Sequence, residues 1–144
     1  MTIENSGSFQ EKHPPDTKVN AEIAAALKQG APGGELPCAV AFKIASDLET
    51  TPSQVGLTAD LLQMPLVKCQ MGLFGYTPKK SIIRPAKEVP ESLRAAIMAS
   101  LTDGKLTCAT AWEISTKLSI HKMQVASACE ALGIKITSCQ LGAF

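Results

Sequence analysis

The chain has 144 residues, of which 45% are hydrophobic and only 4% aromatic, and its formal net charge is +1. This length allows one ordinary domain or two small ones, and the scarcity of aromatic residues predicts a core of small aliphatic side chains between short helices. The sequence holds no apolar run long enough to span a membrane, and its total charge does not demand a polyanionic partner.

The start of the chain, residues 1–18, is rich in serine, glycine, proline and charged side chains. It lacks the basic stretch followed by an apolar one that marks a secretory signal. We therefore expect residues 1–18 to form a disordered tail and the protein to be cytoplasmic. Five cysteines in such a chain are expected to be free thiols, with bound metal as the other option.

Charge is spread unevenly along the chain. Residues 1–60 hold 4 basic and 8 acidic side chains, a balance of −4. Residues 61–144 hold 10 basic and 5 acidic ones, a balance of +5. The second part of the chain is thus able to present a local basic face.

The sequence aligns with itself when Val19 is placed on Val89. The string "CQMGLF" then falls on "CQLGAF", and residues 19–74 align with 89–144 without a gap, with 17 of 56 pairs identical. Average composition would give about four identities. The sequence therefore predicts a tandem duplication of a unit of about 55 residues.

Each copy predicts three helices followed by a strand. The first helix is "NAEIAAALKQG", with Asn20 as its N-cap and Gly30 as its stop, and its counterpart begins at Pro90. The second helix has one apolar face, which starts at Cys38 in the first copy and at Cys108 in the second.

The third helix of the first copy begins at "TPSQ", where Thr51 and Gln54 are expected to form a capping box. Strand-like runs follow in both copies, "PLVKCQMGLF" and "IKITSCQLGAF". In the first copy, a "YTPKK" turn and "SIIR" are expected to complete a hairpin. In the second copy, residues 134–142 must pair with "GKLT" before its second helix, with the first copy, or with a second chain.

The link between the second and third helices carries a resemblance. Ala45, Leu48 and Val55 stand at the spacing of the small residue, leucine and valine that pack a helix-turn-helix. The second copy repeats this frame at the equivalent positions. The arrangement resembles a helix-turn-helix, and the following strand makes it similar to the winged variety.

The resemblance covers nearly all of residues 19–144 and implies a mainly α fold with short β-strands. It implies two tandem winged helix-turn-helix-like repeats related by the offset of the self-alignment. The first would occupy residues 19–85 and include a wing hairpin. The second would occupy residues 86–144 and have a truncated wing.

Enzyme chemistry finds little support in the sequence. The two histidines are His13, in the predicted tail, and His121, in the second copy's turn. A glycine-rich phosphate loop, a nucleophile elbow and a carboxylate pair are not evident. We therefore predict a protein that is not an enzyme and needs no cofactor.

Four cysteines occupy equivalent places: Cys38 and Cys108 at the start of the second helix, and Cys69 and Cys139 in the terminal strand. One interpretation is a metal or redox site with one cysteine pair per copy. The other is that small thiols fill the core. The spacing from Cys38 to Cys69 is not a zinc pattern, so we favour buried cysteines without metal.

The resemblance implies binding to double-stranded DNA, as a transcription-regulator-like protein. The third helix of the second copy would enter the major groove with His121, Lys122 and Gln124 near its N-terminal end. In the first copy, Asp60 is expected to face outward and repel phosphate. The wing would contact phosphates through a cationic cluster: Lys79, Lys80, Arg84 and Lys87.

Two other functions stay open. A degenerate helix-turn-helix repeat is also suited to docking another protein, and the near-zero net charge favours that alternative. A thiol-based metal or redox sensor rests on the symmetric cysteines alone. A homodimer would double the DNA contacts if DNA is the partner.

Overall fold

The computed structural model describes residues 19–77 and 81–143. It is mainly helical with short strands. The first half contains α1 (Ala21–Gly30), β1 (Leu36–Pro37), α2 (Cys38–Asp47), α3 (Pro52–Leu61) and β2 (Leu66–Val67). The second half contains α4 (Glu91–Ala99), β3 (Leu106–Thr107), α5 (Cys108–Leu118), α6 (Lys122–Leu132) and β4 (Ile136–Thr137). Each element of the second half begins at the residue that the self-alignment pairs with the first residue of its counterpart.

Side chains cap the helices where the sequence predicts it. The Asn20 side chain accepts a hydrogen bond from the Ile23 N–H at 3.1 Å, and α1 ends at Gly30. The Thr51 hydroxyl accepts from the Gln54 N–H at 3.2 Å, and Pro52 begins α3. These bonds satisfy N–H groups that a helix leaves without an internal partner.

The chain divides into two compact units. Of the described residues, the first unit contains 19–69 together with Gln140–Ala143, and the second contains those between Gln70 and Cys139. Each unit therefore holds three helices, one strand pair and the terminal string of the other repeat. This boundary differs from the predicted division at residue 85. The predicted tail, residues 1–18, lies outside the described residues.

In the first unit, β1 and β2 pair in parallel, with Leu36 opposite Leu66. The core is built from aliphatic side chains of the three helices and the strands: Ile23, Leu27, Leu36, Ala41, Val55 and Ala59. A Cβ at Gly56 would overlap the Leu141 carbonyl oxygen. The backbone of Gln140–Ala143 therefore packs directly on α3, which only glycine permits at so close an approach.

In the second unit, β3 and β4 pair in parallel, with Leu106 opposite Ile136. Of the three partners expected for the second copy's strand, the structure shows the "GKLT" segment. The core repeats that of the first unit: Leu93, Ile97, Leu106, Ala111, Val125 and Cys129. The terminal string of the first repeat packs here, since Met71 is fully buried and Gly72 lies against Met123 and Ile83.

The predicted wing hairpin is not formed by the described residues. Positive φ angles at Lys68, Gly72 and Gly75 turn the chain out of the extended conformation after β2. Residues 81–84 form no strand and reach the string through the Ile82 N–H, which donates to the Gly72 carbonyl at 2.9 Å. The strand β2 pairs with β1 instead.

Asp60 is also placed differently from the prediction. It is 7% exposed and lies one helical turn after Gly56 on α3.

Among the described helices, none combines the length and the apolar character that crossing a membrane requires.

Candidate nucleic-acid interface

The two units differ in charge. Residues Gln70–Cys139 hold 9 basic and 5 acidic side chains, a balance of +4. Residues 19–69 together with Gln140–Ala143 hold 3 basic and 5 acidic ones, a balance of −2. A surface that attracts an anion is therefore expected on the second unit.

The N-terminal end of α6 carries a fixed positive charge. The Lys122 ammonium lies 4.6 Å from the centroid of the Trp112 ring, which belongs to α5. This cation–π contact restrains a side chain that would otherwise sample many rotamers. His121, the exposed N-cap residue, precedes Lys122. The backbone N–H groups of a helix N-terminus add a favourable potential for anions at the same place.

Gln124 has a different role from the one predicted. Its side-chain oxygen accepts a hydrogen bond from the His121 N–H at 2.8 Å, which caps α6. Recognition of adenine by glutamine uses both the oxygen and the amide nitrogen. Since the oxygen is already bonded, Gln124 is a poor reader of base edges. The self-alignment pairs Gln124 with Gln54, for which the sequence predicted a capping role at the start of α3. The same capping role could therefore have been predicted for Gln124.

Two of the four cations predicted for the wing, Arg84 and Lys87, lie on a segment that is attached to α6. The Ala86 N–H donates a hydrogen bond to the Ser127 carbonyl at 3.0 Å. Arg84 and Lys87 flank this attachment, and both are exposed. The structure thus brings these two residues and Lys122 to the same helix. Lys79 and Lys80 lie outside the described residues.

A groove of about 350 Å³ lies beside α6 in the second unit. Leu93 and Ala128 are buried and form its floor, whereas Ile120 and Met123 are half-buried and form part of its wall. Glu88 is exposed and also lines it. The sequence analysis did not predict this groove. At three of its positions the second copy has an apolar residue where the first copy has a threonine or serine.

The cysteines are free thiols. Cys38, Cys69 and Cys108 are each 6% exposed, which confirms their predicted burial, whereas Cys139 is only half-buried. Burial raises the pKa of the Cys129 thiol from 9.0 to about 11. Across the part of the chain that the structure describes, histidine, cysteine and acidic side chains form no group of three or more suited to a metal ion.

Comparisons of this chain with protein-family models, with curated proteins and with solved structures gave no match.

Proposed function

We propose that this protein binds double-stranded DNA through its second unit, as a transcription-regulator-like protein. In this proposal the two halves are tandem helix-turn-helix repeats with shortened wings. The observation that carries it is the gathering of cations around α6. Lys122 stacks on Trp112 at the helix N-terminus, and the segment with Arg84 and Lys87 is bonded to the same helix at Ser127.

Contacts to phosphate, rather than to bases, dominate in this mode of binding. The Gln124 oxygen is used by the helix cap, and Met123 faces Gly72 and lines the groove, so few groups remain to read a base edge. Exposed cations and the N-terminus of α6 suit phosphate oxygens, which fix orientation without carrying sequence information. We therefore expect low sequence specificity.

The first unit is a weaker candidate for the same role. Its balance of charge is −2, and phosphate would be repelled by that surplus of acid. The α3 face at Gly56 is covered by the backbone at Leu141, so it cannot enter a groove of DNA. Burial of Asp60 on the same face points to the same conclusion.

The test is a fluorescence-anisotropy titration of a random-sequence DNA duplex at several salt concentrations. The wild-type protein should bind more weakly as salt rises, because cations on the duplex are released on binding. The double variant Arg84→Ala/Lys87→Ala and the variant Lys122→Ala should each weaken binding, and the salt slope should fall by about one unit per lost contact. Lys43→Ala is the matched control, since Lys43 lies in the first unit and is paired with Asp47 at 2.9 Å.

The proposal fails if the wild-type protein does not bind the duplex at low salt, or if Lys43→Ala weakens binding as much as Lys122→Ala does. The protein-interaction alternative would then take its place. The formal net charge of only +1 favours that alternative.

A further inference from the structure

We propose that the groove beside α6 is a binding site for a small organic amine, with an apolar body about the size of a phenylethyl group and one ammonium group. The cavity of about 350 Å³ lies at the lower end of the range that holds small ligands. It is bounded by the segment that precedes α4, by α4 itself, by the end of α5 and by α6.

The interior of the groove suits an apolar body. Leu93 and Ala128 are 5% and 1% exposed and close the floor. Leu118, Ile120 and Met123 are half-buried and form the wall. Water in such a cleft has few hydrogen-bonding partners, so its replacement by an apolar group is favourable.

The rim of the groove suits a cationic group. Glu88, Ser92 and Gln124 line it and are exposed. Among the described residues that line the groove, Glu88 is the only charged one, and none is basic. A carboxylate and two hydroxyls, those of Ser92 and Ser127, accept hydrogen bonds from an ammonium group. Arg84, Lys87 and Lys122 lie near α6 but do not line the groove. An anionic ligand of the same shape would therefore meet the Glu88 carboxylate at the rim of the groove.

The repeat supplies an independent comparison. The wall residues Ile120 and Met123 correspond to Thr50 and Ser53 in the first copy, and the floor residue Ala128 corresponds to Thr58. The second copy therefore has apolar groups at three lining positions where the first has hydroxyl groups, whereas at a fourth position Ser127 replaces Leu57. Apolar side chains around a water-accessible cleft are unfavourable while the cleft is empty and become favourable when an apolar ligand fills it.

The experiment is a titration of the full chain, without DNA, with 2-phenylethylamine, followed by chemical shifts of backbone amides. Saturable shifts are expected at Ala86, Ser92 and Ala128. The matched anion 3-phenylpropionate should bind at least about threefold more weakly, because its carboxylate meets Glu88. The variant Glu88→Gln should weaken amine binding by about threefold, and this exposed substitution leaves the fold intact.

The apolar wall is tested by Met123→Ser, which installs the first copy's residue. Amine binding should weaken about tenfold, because most of the wall that Met123 provides is lost. Met98→Ser is the matched control on the exposed surface of α4 and should leave binding unchanged. The site is refuted if the amine gives no saturable shifts, if the anion binds as tightly, or if Met98→Ser weakens binding as much.

Amine binding and DNA binding fail separately in these experiments. A protein that binds the amine but not the duplex retains the groove site and loses the proposed function. A protein that binds the duplex but not the amine retains the proposed function and loses the groove site. The two outcomes are distinguishable because the amine titration contains no DNA.

Discussion

The third helices of the two units, α3 and α6, share a frame but differ on the face away from their own core. Val55 and Val125 are fully buried at equivalent positions and hold each helix against its unit. Beyond that face, α3 has Gly56, on which the backbone of Leu141 packs. The equivalent residue of α6 is Ala126, and its neighbours line a groove. A shared core pattern thus constrains one face of a helix and leaves the other free to differ.

The electrostatic difference follows the same division. The second unit has a balance of +4 and the first a balance of −2. The cations near α6 have no counterparts on α3, where Pro52 stands in the place of Lys122. The two units therefore share a helical frame, and only the second has a net positive charge.

The largest effect is expected from deleting residues 136–144, because both units contain part of this segment. The second unit would lose β4, and the first would lose Leu141, which is 2% exposed. We expect the free energy of unfolding to fall by about 4 kcal/mol, from one large buried side chain and the lost strand pairing. Thermal unfolding followed by circular dichroism measures this, and an unchanged midpoint would refute it.

The second-largest effect is a difference between α3 and α6 in the cost of exchanging glycine and alanine at equivalent positions. Gly56→Ala places a methyl group where the Leu141 carbonyl now lies, and backbone atoms must move to relieve the overlap. We expect a loss of about 3 kcal/mol, at the upper end of overpacking costs. The reciprocal change, Ala126→Gly, should cost only about 1 kcal/mol, the usual penalty of glycine inside a helix.

Hydrogen exchange measured on peptides from α3 and α6 assigns each loss to its helix. The comparison between the two helices is wrong if the two substitutions cost the same. It is also wrong if Gly56→Ala remains as damaging in a chain that lacks residues 140–144, since the overlapping carbonyl is then gone.

Much of the fold could be predicted from the sequence because it is encoded locally. Helical periodicity and the caps at Asn20 and Thr51 predicted where helices form, and the self-alignment predicted that the second half repeats the order of the first. The hairpin prediction was wrong in part because Lys68 adopts a φ of 51°. Positive φ is uncommon for lysine, so the residue type gives no reason to expect a turn there. The positions of the strings "CQMGLF" and "CQLGAF" depend on packing between residues far apart in sequence. Hydrophobic periodicity reports only the local conformation, so it could not predict them.

The candidate site was predictable in its charges but not in its shape. Arg84, Lys87 and Lys122 are exposed or half-buried cations, as their chemistry suggests. The bond between Ala86 and Ser127, which brings the segment to α6, joins residues far apart in sequence. The groove is formed partly by this attached segment, so the pattern of a single helix could not predict it.

A smaller effect distinguishes the two terminal strings. Gly72 and Gly142 occupy equivalent positions and have φ angles of 75° and 85°, so alanine is strained at either by about 1 kcal/mol. At Gly72 the added Cβ would also lie 2.9 Å from the ends of Met123 and Ile83, whereas at Gly142 it meets nothing within 4 Å. Gly72→Ala should therefore cost about 2 kcal/mol and Gly142→Ala about 1 kcal/mol.

Urea unfolding of the two variants, with circular dichroism as the probe, measures both losses. Equal losses would mean that Met123 and Ile83 move aside without cost. A larger loss for Gly142→Ala would contradict the described packing of the two strings.

The smallest effect concerns Cys129, which stands in α6 where α3 has Ala59. Burial raises the pKa of this thiol from 9.0 to about 11, because the thiolate is poorly solvated in the core. Well below pH 9 the thiol is protonated in both the folded and the unfolded chain. Between about pH 9 and pH 11 only the unfolded chain releases the proton, so the second unit loses stability as pH rises.

The chain's one tryptophan, Trp112, lies in the second unit and provides the probe. From near pH 8 to near pH 10, wild-type protein should lose about 1 kcal/mol more than Cys129→Ala does, measured by urea unfolding with tryptophan fluorescence. Ala128→Gly is the control: it changes a buried neighbour without an ionisable group, so it should lower stability equally at both pH values. If Cys129→Ala loses stability as steeply as the wild type, the buried thiol is not the source, and α6 and α3 do not differ in this respect.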